Sequence, residues 1–152
     1  MSTGVLLVDN HAIIREGLRS LLEKQPDMKV LADTDEGGKA VELVRELLPD
    51  VVVMDVTMTG LNGIEATRLI TAEFPQVKVI ALSVHSQKRF IAEMLSAGAS
   101  GYILKECLFE ELVQAIQAVA VGGRYLSPRI ANVAVDNHLR RLSTTADQPQ
   151  VP

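Results

Sequence analysis

From residue 4 to about residue 126, short β-branched apolar runs alternate five times with longer stretches of helical period, a rhythm that restricts the fold more than any other feature. Strands that recur with helices between them pair in parallel, and the helices cover both faces of the sheet. The runs predict strands at Val5 to Val8, Lys29 to Ala32, Val51 to Met54, Lys78 to Leu82 and Gly101 to Leu104. The first, third and fourth are almost wholly apolar, as central strands buried on both faces should be.

The intervening stretches carry apolar residues at helical spacing and end on breakers. Ile14, Leu18, Leu21 and Leu22 define a first helix that stops before Gln25-Pro26, because proline disfavours helix at the residue before it. Ala40, Val41, Val44 and Leu47 define a second, ending at Pro49, and Ile64, Thr67, Leu69 and Ile70 a third, ending before Pro75. Phe90, Ile91, Met94 and Leu95 mark a fourth closed by Gly98, and Phe109, Leu112, Val113, Ile116 and Val119 a fifth that ends at Gly122-Gly123. Ser127-Pro128 reads as an N-cap with proline at the first helical position, so a further amphipathic helix is expected to reach Leu142. The polar, proline-containing residues 143–152 read as a linker or tail.

A chain of 152 residues is one domain's worth. Aromatic residues are only 3% of it against 47% apolar residues, so the core must be aliphatic. With 15 Lys and Arg against 19 Asp and Glu, the net charge of −4 gives nucleic acid no general electrostatic reason to bind. The single Cys107 excludes an intrachain disulfide and suits a reducing cytoplasm, and no apolar run has the length of a membrane span.

The chemistry lies at the strand ends. Asp9 follows VLLV, Asp55 follows VVVM, Ser83 follows VKVIAL and Lys105 follows GYIL. Neighbouring parallel strands end together, so these side chains meet at one edge of the sheet. Polar residues after strands are common singly, but two carboxylates, a hydroxyl and an ammonium form a chemically complementary set. A carboxylate can attack phosphorus as a nucleophile, and oxygen donors from Asp9, Asn10 and Asp55 suit Mg²⁺. The hydroxyl and the ammonium can then bind phosphoryl oxygens. Gly60 and Gly63 allow a tight turn after Asp55.

At these residues the sequence resembles a response-regulator receiver domain of bacterial two-component signalling. The resemblance covers about residues 4 to 126 and rests on LLVDNHAIIREGL, VVVMDVTMTGLNGIEATRLI, VIALSVHS and GASGYILKE. DNHAIIREGL and GGRYLSPRI further resemble receivers that precede a LuxR/NarL-type helix-turn-helix output domain. The resemblance implies an α/β, flavodoxin-like (CheY-like) doubly wound sheet, five-stranded and parallel, in the order 2-1-3-4-5. It implies a receiver over residues 1–126, which the helix over 127–142 and the linker over 143–152, expected from cap and composition, would follow. It also implies Asp55 as phosphoacceptor, Mg²⁺ held by Asp9, Asn10, Asp55 and the Thr57 carbonyl, and Ser83, Tyr102 and Lys105 as the groups that sense the phosphoryl group. The partners so implied are a sensor histidine kinase, a second receiver in a homodimer, and DNA only through an output domain absent from this chain.

Three departures from the family's pattern bear on the site. Asn10 stands where the family usually has a second acid and removes one negative charge; Thr59 replaces a common proline, and Glu106 replaces the frequent proline after the lysine. His11 reads as a helix-start residue on the pocket rim. His85, at the pocket edge, reads equally as a residue tuning water access and as an exposed loop histidine. Tyr102 reads equally as a switch and as an ordinary half-buried strand tyrosine. Two other classes remain in comparison: an interaction module whose depleted metal site is seldom phosphorylated, motivated by Asn10, and a cofactor-binding flavodoxin-like protein. The acid that opens DNHAIIREG speaks against the second, since a cofactor phosphate needs a glycine- and hydroxyl-rich cradle.

Overall fold

The uninterrupted apolar runs form the centre of a parallel sheet whose residues point alternately into two cores. The computed structural model describes residues 2–56, 62–84, 88–128 and 130. In chain order these form β1 (Thr3–Val8), α1 (Ala12–Glu23), β2 (Met28–Thr34), α2 (Gly37–Leu47), β3 (Val51–Asp55) and α3 (Gly63–Glu73). Then follow β4 (Lys78–Ser83), α4 (Lys88–Ser96), β5 (Gly101–Leu104), a 3-10 turn (Lys105–Cys107), α5 (Leu108–Ala120) and β6 (Tyr125–Leu126).

Val5, Leu7, Val51 and Val53 face α1 and α5, where Leu18 and Ile116 meet them. Leu6, Val8, Val52 and Met54 face the opposite way, toward Val44 of α2 and Ile70 of α3. Every one of these side chains is buried, so period-two alternation is hidden in a sequence apolar at both parities. A third cluster joins Ile91 and Met94 of α4 to Tyr102, Leu104 and Ile130.

The strand order is β2-β1-β3-β4-β5-β6, with every pairing parallel. The expected order 2-1-3-4-5 is present, but the sheet has six strands, not five. The added strand is two residues long, pairs Tyr125 with Gly101 and Leu126 with Tyr102, and is too short for a periodicity reading to detect.

The helix ends follow the expected punctuation. Leu48 closes α2 in the left-handed region (φ 47°) before Pro49. Gly98 (φ 110°) follows α4, where a Cβ would overlap the Thr71 hydroxyl that donates to Ala97 O at 2.7 Å. Asn62 caps α3, its side chain accepting from the Glu65 backbone N–H at 2.9 Å. Of the helix expected over 127–142, residues 129 and 131–142 lie outside the described residues, as does the tail. Ser127 is fully buried and Ile130 N–H donates to its carbonyl at 2.9 Å.

Candidate functional site

The registers bring the strand-end residues together. Val8 pairs with Met54, so Asp9 follows β1 beside Asp55, the last residue of β3; Asp55 pairs with Leu82, and Ser83 pairs with Leu104. Lys105 is the next residue of the chain. Its ammonium lies 3.1 Å from Asp9 Oδ2 and 3.1 Å from Asp55 Oδ2. Asp9, Asp55 and Ser83 are fully or almost fully buried, and Lys105 is largely so.

Gly63 explains how α3 closes on this edge. A Cβ on Gly63 would overlap the carbonyl oxygen of Asp55, so the start of α3 packs directly on the backbone of the nucleophile candidate. Gly60 lies outside the described residues, as do Thr57 and His85.

One ammonium between two carboxylates leaves the cluster a negative charge. Asp9 Oδ2 is buried and, although close to Lys105, makes no aligned hydrogen bond. One oxygen of Asp9, one of Asp55 and a ring nitrogen of His11 all lie within 4.8 Å of one another. These donors, two of them carboxylates and one of those incompletely satisfied, fit a divalent cation. Asn10 is exposed.

The sequence reading placed His11 on the pocket rim, and the structure draws it further in. Its backbone N–H donates to Asp9 Oδ1 at 2.8 Å, its Nδ1 lies 2.9 Å from the same oxygen, and Lys105 Nζ is 3.4 Å from that nitrogen. The ring nonetheless remains more than half exposed, 60% by side-chain area. Its position two residues after Asp9 was visible; its rotamer was not.

Arg15 is a support that the sequence reading missed. Its Nη1 donates to the Asp9 carbonyl at 2.5 Å and its Nε to Asp33 Oδ1 at 3.1 Å, so a guanidinium on α1 ties the end of β1 to the end of β2. Arg19, one turn later, donates to Asp33 Oδ2 at 2.8 Å and, by that bond first, holds the Asp33 carboxyl below its ordinary range. The available signal was the spacing of Arg15 and Arg19, which places both on one helix face.

Tyr102 is more deeply placed than the half-buried strand tyrosine of one sequence expectation. The side chain is fully buried, its phenol is hydrogen-bonded with the Ser83 side chain, and burial pushes its pKa up. A shallow cavity lined by Val84, Leu104, Lys105 and Glu106 opens beside the cluster.

Sequence and structure comparisons agree on one family. The profile of the response regulator receiver domain matches residues 5–117. The transcriptional regulatory protein DegU of Brevibacillus brevis is 39% identical over 144 residues, covering 95% of this chain and 61% of the relative. The response regulator GacA of Pseudomonas viridiflava is 40% identical over 147 residues, covering 97% of this chain and 65% of the relative. The chain thus spans less than two thirds of the length of these curated relatives. A crystal structure of a LuxR-family two-component response regulator from Aurantimonas sp. SI85-9A1 superposes with a TM-score of 0.85 at 40% identity, covering 91% of this chain and 99% of that one.

Proposed function

The chain belongs to the response-regulator receiver family, and from that premise we propose that Asp55 accepts a phosphoryl group from the phosphohistidine of a sensor kinase. The observation that carries this reading is the meeting of Asp9, Asp55 and Lys105 at 3.1 Å contacts on the C-terminal edge of the sheet. An Asp55 carboxylate oxygen forms a bond to phosphorus as the phosphorus–nitrogen bond of the donor breaks, and the bonding pair returns to the imidazole nitrogen. The residues that would hold Mg²⁺ are Asp9 and Asp55, with the Thr57 carbonyl and Asn10 as a neutral, weaker contributor. The ion supplies charge neutralisation that lets a phosphoryl dianion approach two carboxylates.

Lys105 leaves its place between the carboxylates to pair with the phosphoryl oxygens, and the Ser83 hydroxyl turns to bond them. Tyr102 shares a hydrogen bond with Ser83, so the phenol follows the hydroxyl. The change spreads across α4, β5 and α5, which serve as the surface for a second receiver and for release of a DNA-binding output domain. Self-phosphorylation from small acyl phosphates and slow self-hydrolysis complete the chemistry of a switch rather than of an enzyme with turnover on a separate substrate.

Incubating the chain with acetyl phosphate and Mg²⁺ and mapping the product by mass spectrometry tests this reading. One phosphoryl group is expected on Asp55, with none on the Asp55→Asn variant. A variant phosphorylated as fully as the parent sinks the assignment. Exposed Asn10 favours a second reading, an interaction module with a weak metal site. Millimolar-range Mg²⁺ binding supports the switch, and no binding supports the module.

A further inference from the structure

We infer that Ser127, fixed by Glu111, is a positioning residue for Lys105, and that through it the segment after α5 is coupled to the state of Asp55. The inference rests on the phosphoacceptor reading and extends it to residues outside the strand-end cluster.

β5 is paired along its length with β4, but its other edge is covered only as far as Tyr102, where β6 ends. The backbone N–H of Leu104 is the next donor on that edge, and it is buried, where an unpaired donor is costly. Ser127 Oγ accepts from it at 3.2 Å. The same hydroxyl donates to Glu111 Oε1 at 2.8 Å, and the Tyr125 hydroxyl donates to that oxygen at 3.0 Å. The chain of bonds therefore has one direction, from Leu104 N–H through Ser127 O–H to Glu111. Glu111 lies on α5, so the helix, the segment after it and β5 are tied at one point.

Leu104 immediately precedes Lys105, whose ammonium sits between Asp9 and Asp55. The segment also grips the strand one turn of the pleat earlier. Ser127 N–H donates to the Tyr102 carbonyl at 3.0 Å, and Ile130 is fully buried in the cluster that holds Tyr102 and Leu104. Both residues so held, Tyr102 and Leu104, lie on β5 within three residues before the lysine. When Lys105 turns to a phosphoryl group, the peptide behind it shifts against an anchor that belongs to the departing chain. By linkage, whatever loosens residues 125–127 also alters phosphorylation of Asp55.

The full 152-residue chain, acetyl phosphate and Mg²⁺ suffice for the test. Phosphorylation is expected to change amide hydrogen exchange at Leu104 and at residues 125–127 in the parent. Ser127→Ala is expected to lower the equilibrium extent of phosphorylation of Asp55 by about tenfold in its equilibrium constant and to abolish that exchange response, and Ser127→Thr, which keeps the hydroxyl, to restore both. Glu111→Ala, at a half-buried position, releases the hydroxyl while leaving the Leu104 acceptor in place, and is expected to weaken the exchange response even if Ser127→Ala fails to fold. Variants phosphorylated to the parent extent with an unchanged exchange response overturn the coupling alone. A parent chain that takes up no phosphoryl group overturns the phosphoacceptor reading and the coupling together.

Discussion

Removing the Lys105 ammonium would leave Asp9 and Asp55 buried side by side without the cation that now lies 3.1 Å from each. Breaking such a buried pair from one side costs about 3 kcal/mol or more, because uncompensated charge remains. Lys105→Met is therefore expected to lower the urea unfolding free energy by about 3 kcal/mol in metal-free buffer, and added Mg²⁺ to recover part of the loss. At the neighbouring position, Asn10→Asp adds a carboxylate at the mouth of the cluster, and calorimetric titration is expected to record tighter Mg²⁺ binding than in the parent. Asp9, Asp55, Ser83 and Lys105 were legible in the sequence because each directly follows an apolar run and parallel strands end together. The inward Tyr102, the turn of His11 toward Asp9 and the bond from Arg15 to the Asp9 carbonyl were not, since each depends on a rotamer that residue type and spacing leave open.

At the level of elements, α3 begins so close to β3 that no side chain fits at Gly63. Gly63→Ala must push the helix away from Asp55, and a loss of about 1–3 kcal/mol in chemical denaturation is expected together with slower phosphoryl uptake. Asn62→Ala removes only the cap, so a loss of about 1 kcal/mol with little change in uptake distinguishes helix stability from helix placement. β6 provides a pH probe. Burial, then its bond to Glu111, pushes the Tyr125 phenol up to about 12. A phenol raised in the folded state contributes stability that is complete below the unfolded value near 10 and is lost as pH rises through the folded value. Stability is thus expected to decline between pH 10 and pH 12, and Tyr125→Phe to flatten that decline. The five long strand–helix units could be read because each repeats its pattern for several residues and ends on Pro or Gly. β6 and the 3-10 turn of Lys105–Cys107 could not, since two or three residues make no more than one period and leave no repeat to recognise.

Across the whole molecule, both faces of one sheet are covered by aliphatic side chains, and the polar groups that matter gather at a single edge. β1 and β3 lie side by side at the centre, yet β2 and two helices intervene between them in the chain. Val5 meets Val51 only after that whole stretch has been made. Contacts so distant in sequence are slow to form, because loop closure precedes any gain from pairing. Until then VLLV and VVVM remain uncharged, β-prone segments open to neighbouring chains. The recovered fraction on dilution from denaturant should fall as protein concentration rises, while the refolding rate of the surviving molecules stays constant. The same strands that bury Asp55 so completely in the finished domain make the nascent one vulnerable, and the interval before β3 finds β1 is when a cell would have to protect it.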